Sequence, residues 1–287
     1  MPENSALTSS LILFIMTQPF HFQAGSLPLL VSMPHVGTRI PEHLLPNYTD
    51  AVTERSDTDW HLPTLYSMLD ELGASRIHAD YSRYVIDLNR PSDDVNLYPG
   101  QDTTGLCPVD TFSKQALYHA GQEPSAAQIQ ERIAAYWQPY HQQIQDELAR
   151  IKSIHGIAIL WDAHSIASQV PRFFEGRLPD LNFGTANQTS CALSLQTALA
   201  DCLQQSQTEY SHVFNGRFKG GYITRHYGQP EQNIHAVQLE MSQIVYMDEH
   251  APYAYRADLA AQVQPLLKQL LQSCLSWAQQ NSAVAGK

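Results

Sequence analysis

The chain is poor in sulfur, poor in positive charge and short of long apolar runs, and each shortage excludes a class of function. Its four cysteines, Cys107, Cys191, Cys202 and Cys274, lie far apart among 287 residues. No C-x-x-C pair exists to build a thiolate metal site or a redox motif, so these are read as reduced structural thiols. Lys and Arg number 17 against 28 Asp and Glu, for a formal net charge of -11. Such a field repels polyanions and argues against nucleic acid as a partner. A small anionic ligand would need local arginines to overcome it. The apolar run from Leu11 to Met16 falls short of the ~20 residues that cross a bilayer. No basic residue precedes it as a secretory signal requires, so a cytoplasmic protein without membrane attachment is expected. The familiar metal motifs H-x-x-E and H-E-x-x-H are also absent.

What remains is an ordinary globular composition, 43% apolar and 16% charged, with no repeat, linker or low-complexity stretch. Residues 1–16 are expected to form a disordered N-terminal extension, with Met16 a candidate start, and residues 17–287 a single domain. Short apolar runs alternate with longer helical patterns. This is the signature of an α/β fold, a central mixed and mainly parallel sheet flanked by helices. The runs predict strands over 29–33, 76–79, 84–88, 157–161 and 237–240, with a weaker one at 221–224. Helical periodicity covers 58–72, 126–151, 190–204 and 256–279, where Pro139 and Pro265 should kink or divide the second and fourth. Two stretches, 89–124 and 165–185, resist assignment. Loops of that length usually build a site, and these follow strands, at whose carboxyl ends ligands gather in open sheets.

Polar residues punctuate the strand ends. His35 leaves the first predicted strand in Met33-Pro34-His35-Val36-Gly37, and His164 leaves another in Trp161-Asp162-Ala163-His164. Either histidine alone is compatible with a loop hydrogen bond; two at one sheet edge suit a metal such as zinc, with Asp162 able to orient His164. A carboxylate ligand must then come from Ser56-Asp57-Thr58-Asp59-Trp60-His61. There Asp59 is preferred over Asp57 and His61, although Ser56 with Asp59 also reads as a helix-capping box. Glu240 ends an apolar strand, which suits either a general base buried near a metal or a carboxylate facing solvent. Around 80–91, Asn89 and Arg90 could clamp a substrate carboxylate, and Arg83 could stabilise an oxyanion. Salt bridges to Asp80, Asp87 or Asp93 are the alternative for both arginines. Arg225 and His226, after Gly220-Gly221-Tyr222-Ile223-Thr224, form a further candidate anion contact.

Together these segments resemble the N-formylglutamate amidohydrolase family from about Pro19 to Asp248. The segments are Ser32–Gly37, Asp57–His61, Ser82–Pro91, Asp162–Ser165, Gly220–Gly228 and Gln238–Glu240. The resemblance implies a phosphorylase/hydrolase-like sheet related to zinc carboxypeptidases, one zinc ion held by His35, Asp59 and His164, and Glu240 as general base. It also implies Asn89-Arg90 as the carboxylate clamp and hydrolysis of N-formyl-L-glutamate to L-glutamate and formate, a step of histidine degradation. The chain departs from the zinc carboxypeptidases where their H-x-x-E would place a glutamate: the residue three after His35 is Thr38, which moves the carboxylate ligand elsewhere. Two other readings stay open: an amidohydrolase for a different N-acyl amino acid or carboxylated amide, and a metal- or carboxylate-binding protein without catalysis.

Overall fold

Seven strands form one mixed sheet in the order β1-β3-β2-β4-β7-β5-β6. They are β1 (Phe20–Gln23), β2 (Leu29–Met33), β3 (Ser75–Ala79), β4 (Ala158–Ile166), β5 (Leu181–Gly184), β6 (His212–Phe214) and β7 (Ile234–Ser242). The computed structural model describes residues 18–282, so the expected extension over 1–16 lies outside the described residues. The four inner strands β3, β2, β4 and β7 run parallel; β1 and β5 pair antiparallel with β3 and β7. Strands β2 and β4 are buried along their whole length, as expected of parallel strands covered on both faces.

Helices fill the connections: α1 (Ala51–Glu54), α2 (Leu62–Leu65), α3 (Leu69–Leu72), α4 (Ala126–Arg132), α5 (Gln138–His155), α6 (Leu193–Ser206), α7 (Tyr222–Tyr227) and α8 (Ala257–Ser282). One core layer joins α2, α3, α6 and α8 to Leu29, Val31, Ile159, Trp161, Ala163, Val237 and Leu239. The other sets α5 and α7 against Leu30, Ala158, Leu160 and Ala236. Successive strand residues point to opposite faces, so each strand supplies both layers. None of the described helices is long and apolar enough to cross a membrane.

Several elements differ from the expectation. The apolar run 84–88 is buried but lies in turns, with the Val85 N–H donating to the Ser82 carbonyl; burial alone does not separate a strand from a packed turn. Residues 221–224 open helix α7 instead of a strand. The helix expected over 58–72 is two single turns. His61 interrupts it with a left-handed backbone at φ 63°, and its Nε2 is 2.6 Å from the Tyr253 carbonyl. Pro139 sits in the first turn of α5, directly after a π turn over Ile133–Trp137. Helix α8 instead runs through Pro265 without division. The 89–124 stretch contains no regular element, whereas 165–185 holds the end of β4 and all of β5.

Candidate active site

Strand alternation builds the site from below. On β4 the residues facing α5 are Ala158, Leu160, Asp162 and His164; on β7 they are Ala236, Gln238 and Glu240. The first members of each series are apolar and belong to the core, whereas the last are polar. One sheet face therefore changes from hydrophobic core to reactive floor within two residues. Strands β4 and β7 stay paired through Ile166 and Ser242, beyond the point at which β2 leaves β4 at Ser32. His35, two residues past β2, folds over the flank of β4 that β2 leaves unpaired. Its ring centroid lies 4.9 Å from that of His164. Gly37 permits this path, since a Cβ there would lie 2.2 Å from the Tyr81 carbonyl oxygen.

Asp59 stands between the two imidazoles. Its Oδ2 is 3.0 Å from His164 Nδ1 and 3.6 Å from His35 Nδ1, and its own N–H donates to the His35 carbonyl at 3.1 Å. The ligand atoms of His35, Asp59 and His164 lie within 4.8 Å of one another, and all three residues are buried. Asp57 points elsewhere: its Oδ2 accepts from the Phe112 N–H at 2.8 Å and its Oδ1 from the Ser56 hydroxyl. No helix begins at Ser56, so Asp59 is not a cap.

A second carboxylate backs each imidazole. His35 Nε2 donates to Asp87 Oδ1 at 2.7 Å, and His164 Nε2 lies 3.1 Å from Asp162 Oδ2. Asp87 is in turn bound at 2.7 Å by Arg83. Burial opposes charge on Asp59 and Asp87, but hydrogen bonds from His164 and His35 hold the first below the usual carboxylate range. The charges of His35, Arg83 and Arg90 hold the second there. Burial likewise opposes a charged His164, yet Asp162 and Asp59 raise its proton affinity well above the ordinary value. Three buried carboxylates, Asp59, Asp87 and Asp162, thus crowd the two imidazoles, and of these Asp87 is paired directly with Arg83. Asp162 Oδ1 has no hydrogen-bond partner among the described residues. A divalent cation among His35 Nδ1, His164 Nδ1 and Asp59 would offset this concentration of carboxylates, and two imidazoles with one carboxylate suit zinc.

Glu240 is buried beside this group, directly opposite His164 in the β4–β7 ladder. Burial pushes its carboxyl up to about 8; Asp59 and Asp162 add to the rise while His164 and Arg83 oppose it. Its Oε2 accepts from Gln238 Nε2 at 3.3 Å. A carboxyl poised near neutrality is suited to taking and returning a proton.

These residues floor a cavity of about 600 Å³, part of it open to solvent, also lined by Arg83, Asn89, Arg90, Tyr98, Phe112, Phe173, Arg217 and Phe218. The long loop 89–124 thus walls the pocket, as expected. Asn89 Oδ1 accepts from the Ile223 N–H at 2.8 Å, and its Nδ2 lies 3.0 Å from His164 Nε2. Gly221 leaves room for that amide, because a Cβ would stand 2.3 Å from Asn89 Nδ2. The Arg90 Nε donates to the Thr104 carbonyl at 2.9 Å, and the residue forms no ion pair among the described residues. Arg83 lies 4.8 Å over the Phe112 ring and is paired with Asp87. Burial weighs against its charge, but Asp87, Asp59 and Asp57 keep it protonated. Arg225 is outside the lining, 5.2 Å over the Tyr98 ring. Sequence reasoning did not find Arg217. It follows β6 in Asn215-Gly216-Arg217-Phe218, and no spacing signals that a loop arginine turns back into the pocket.

An α/β sheet with a buried His-Asp-His group able to hold a metal ion, next to a proton-poised carboxylate in an arginine-lined pocket, has the parts of a hydrolase. A family model described as N-formylglutamate amidohydrolase matches residues 27–247, and the chain belongs to that family. It is 51% identical over 268 residues to N-formylglutamate deformylase of Pseudomonas aeruginosa, covering 93% of this chain and 100% of that protein. It is 48% identical over 262 residues to the protein of the same name from Pseudomonas putida, covering 91% and 97%. The crystal structure of N-formylglutamate amidohydrolase from Ralstonia eutropha superposes with a TM-score of 0.75 at 23% identity, over 92% of this chain and 98% of that one. At that identity the likeness speaks to the fold alone.

Proposed function

We propose that this protein hydrolyses N-formyl-L-glutamate to L-glutamate and formate, with one zinc ion held by His35, Asp59 and His164. The observation that carries the reading is Glu240, buried and proton-poised, lining the same pocket as His35 and His164 of that group. The choice of substrate rests on the names of the two Pseudomonas relatives. It also fits an anionic ligand in a pocket lined by arginines within an acidic protein. A cytoplasmic setting accords with such a metabolic substrate.

Bound zinc would supply Lewis acidity, lowering the pKa of a water and polarising the formyl oxygen. The chain's own groups do the rest. Glu240 accepts the proton of the attacking water and returns it to the departing amino nitrogen, without which the amine is a poor leaving group. Arg83, fixed by Asp87 and lining the pocket, stabilises the negative charge that grows on the formyl oxygen. Arg90 takes the α-carboxylate with its terminal nitrogens, since Thr104 holds Nε. Asn89, oriented by the Ile223 N–H that its Oδ1 accepts, contributes its side-chain amide N–H to the same carboxylate. Arg225, packed on Tyr98, adds to the positive field that draws the substrate in.

The test is direct. Purified protein given N-formyl-L-glutamate should release formate, chelator should abolish release, and zinc should restore it. Rates on formyl, acetyl and longer acyl derivatives should fall in that order. Release unaffected by thorough chelation would refute the metal, and a preference for a longer acyl group would refute the formyl assignment.

A further inference from the structure

We propose that Arg217 binds a second carboxylate on the substrate, so that Arg90 and Arg217 together make the pocket selective for dicarboxylates. This rests on the hydrolytic reading above and deepens it, by assigning the residue that distinguishes a glutamate side chain from a neutral one.

Arg90 and Arg217 line the same cavity as Glu240, and neither forms an ion pair among the described residues. Arg83 differs, being held by Asp87 at 2.7 Å. The other acid in the lining, Asp102, is committed to Lys114 at 2.8 Å and Arg172 at 2.9 Å. Two guanidinium groups therefore share a partly desolvated space without a direct carboxylate partner among the described residues, Asp87 and Glu240 acting on them only from beyond ion-pair distance. Like charges so placed are costly until a ligand brings counter-charges into direct contact.

Arg217 is also held in a binding posture. Its Nε donates to the Phe173 carbonyl at 2.6 Å, which fixes the plane and leaves both terminal nitrogens available. The guanidinium lies against three rings, 5.4 Å from Phe218 and 5.8 Å from both Phe173 and Tyr98. Those rings orient it without supplying negative charge. Arg90 is anchored in a similar way, with Nε on the Thr104 carbonyl and Nη1 also donating to the Asn89 carbonyl at 3.2 Å. A guanidinium anchored through Nε presents a planar two-donor edge matched to a carboxylate. Two such edges in one pocket match two carboxylates.

The experiment compares N-formyl-L-glutamate with its neutral isostere N-formyl-L-glutamine. In the wild type kcat/KM should favour the glutamate substrate by on the order of 100-fold, the scale expected for a desolvated charge contact. Arg217→Gln should erase most of that preference, chiefly through KM, and Arg217→Lys should keep part of it. Arg90→Gln should depress both substrates together, because both carry the α-carboxylate. Equal losses on both substrates in Arg217→Gln, or a preserved preference, would overturn the proposal. A protein that turns over neither substrate refutes the hydrolytic reading instead. Calorimetry with L-glutamate and L-glutamine then decides Arg217 independently: binding that favours glutamate in the wild type but not in Arg217→Gln supports the subsite, and equal binding by the wild type overturns it.

Discussion

His164 and Glu240 stand directly opposite each other in the parallel ladder between β4 and β7. The distance between a candidate metal ligand and a candidate base is therefore set by backbone hydrogen bonds in the middle of the sheet, among the stiffest parts of the fold. Glu240 lies outside the His35–Asp59–His164 group, so its loss should separate chemistry from metal binding. Glu240→Gln keeps the shape and should bind zinc as the wild type does while kcat falls about 10³-fold, within the usual range for a lost general base. Metal content by atomic absorption and formate release measure the two halves. A variant that loses its metal in proportion to its activity would make Glu240 a ligand.

Asp57 and Asp59, two residues apart and both buried, should respond in opposite ways. Asp59 Oδ2 faces both histidines, whereas Asp57 Oδ2 holds the Phe112 N–H of the pocket wall. Asp59→Asn should abolish zinc binding. Asp57→Asn should retain it, because an amide oxygen still accepts from Phe112, with a stability loss of about 1 kcal/mol for the weakened hydrogen bond. Zinc titration with a competing chelator and urea unfolding check the pair.

Which of these features the sequence made legible follows from how local their physics is. Strands β2, β4 and β7 read clearly because a parallel interior strand is a nearly unbroken apolar run, and the odd polar residue in such a run stands out. His164 and Glu240 were visible for that reason, and Asp162 could be named as an orienting group. The apolar run 84–88 follows the same rule and is a turn, because burial in a packed loop leaves the same trace. Its Asp87, which backs His35, read only as a partner for nearby arginines. Strand β5 is four residues flanked by loop chemistry, Leu181-Asn182-Phe183-Gly184, too short for its alternation to register. Arg217 depends on a loop folding back over Phe173 and Tyr98, which involves residues 44 and 119 positions away in the chain.

Asp162 makes its own prediction. It lies 3.1 Å behind His164 Nε2, and its Oδ2 also accepts from the Thr224 hydroxyl at 3.3 Å. With Nδ1 turned toward a metal, Nε2 carries the proton, and the carboxylate fixes that tautomer and strengthens the ligand. Asp162→Asn should weaken zinc affinity about 10- to 100-fold, the usual effect of removing such a partner. Because His164 itself remains, activity should return at saturating zinc. Failure of added zinc to restore any turnover would give Asp162 a role beyond orienting the histidine.

His141, on α5 behind the site, should govern how stability responds to acid. It is buried, with Nε2 donating to the Leu88 carbonyl at 2.9 Å and Nδ1 lying 3.0 Å from the Tyr227 hydroxyl. Burial depresses its pKa to about 3, with the charge of His226 as a lesser cause and the Leu88 hydrogen bond in opposition. The unfolded chain takes up a proton near the ordinary histidine value of about 6.5, and the folded chain does not until about 3. Between those values the unfolded state binds more protons, so the contribution of His141 is full above about 6.5 and declines as pH falls. From pH 7 to pH 5 the loss amounts to about 2 kcal/mol. Asp59 and Asp87 contribute little in this window, since their depressed pKa values place their losses below the ordinary carboxylate range. His164 acts with the opposite sign, because its raised pKa favours the folded state as pH falls through 6.5. Comparing wild type with His141→Asn cancels every group but His141. Urea unfolding at pH 7 and pH 5 should show the variant losing about 2 kcal/mol less than the wild type over that interval. Equal losses in both proteins would mean that His141 is protonated in the folded state.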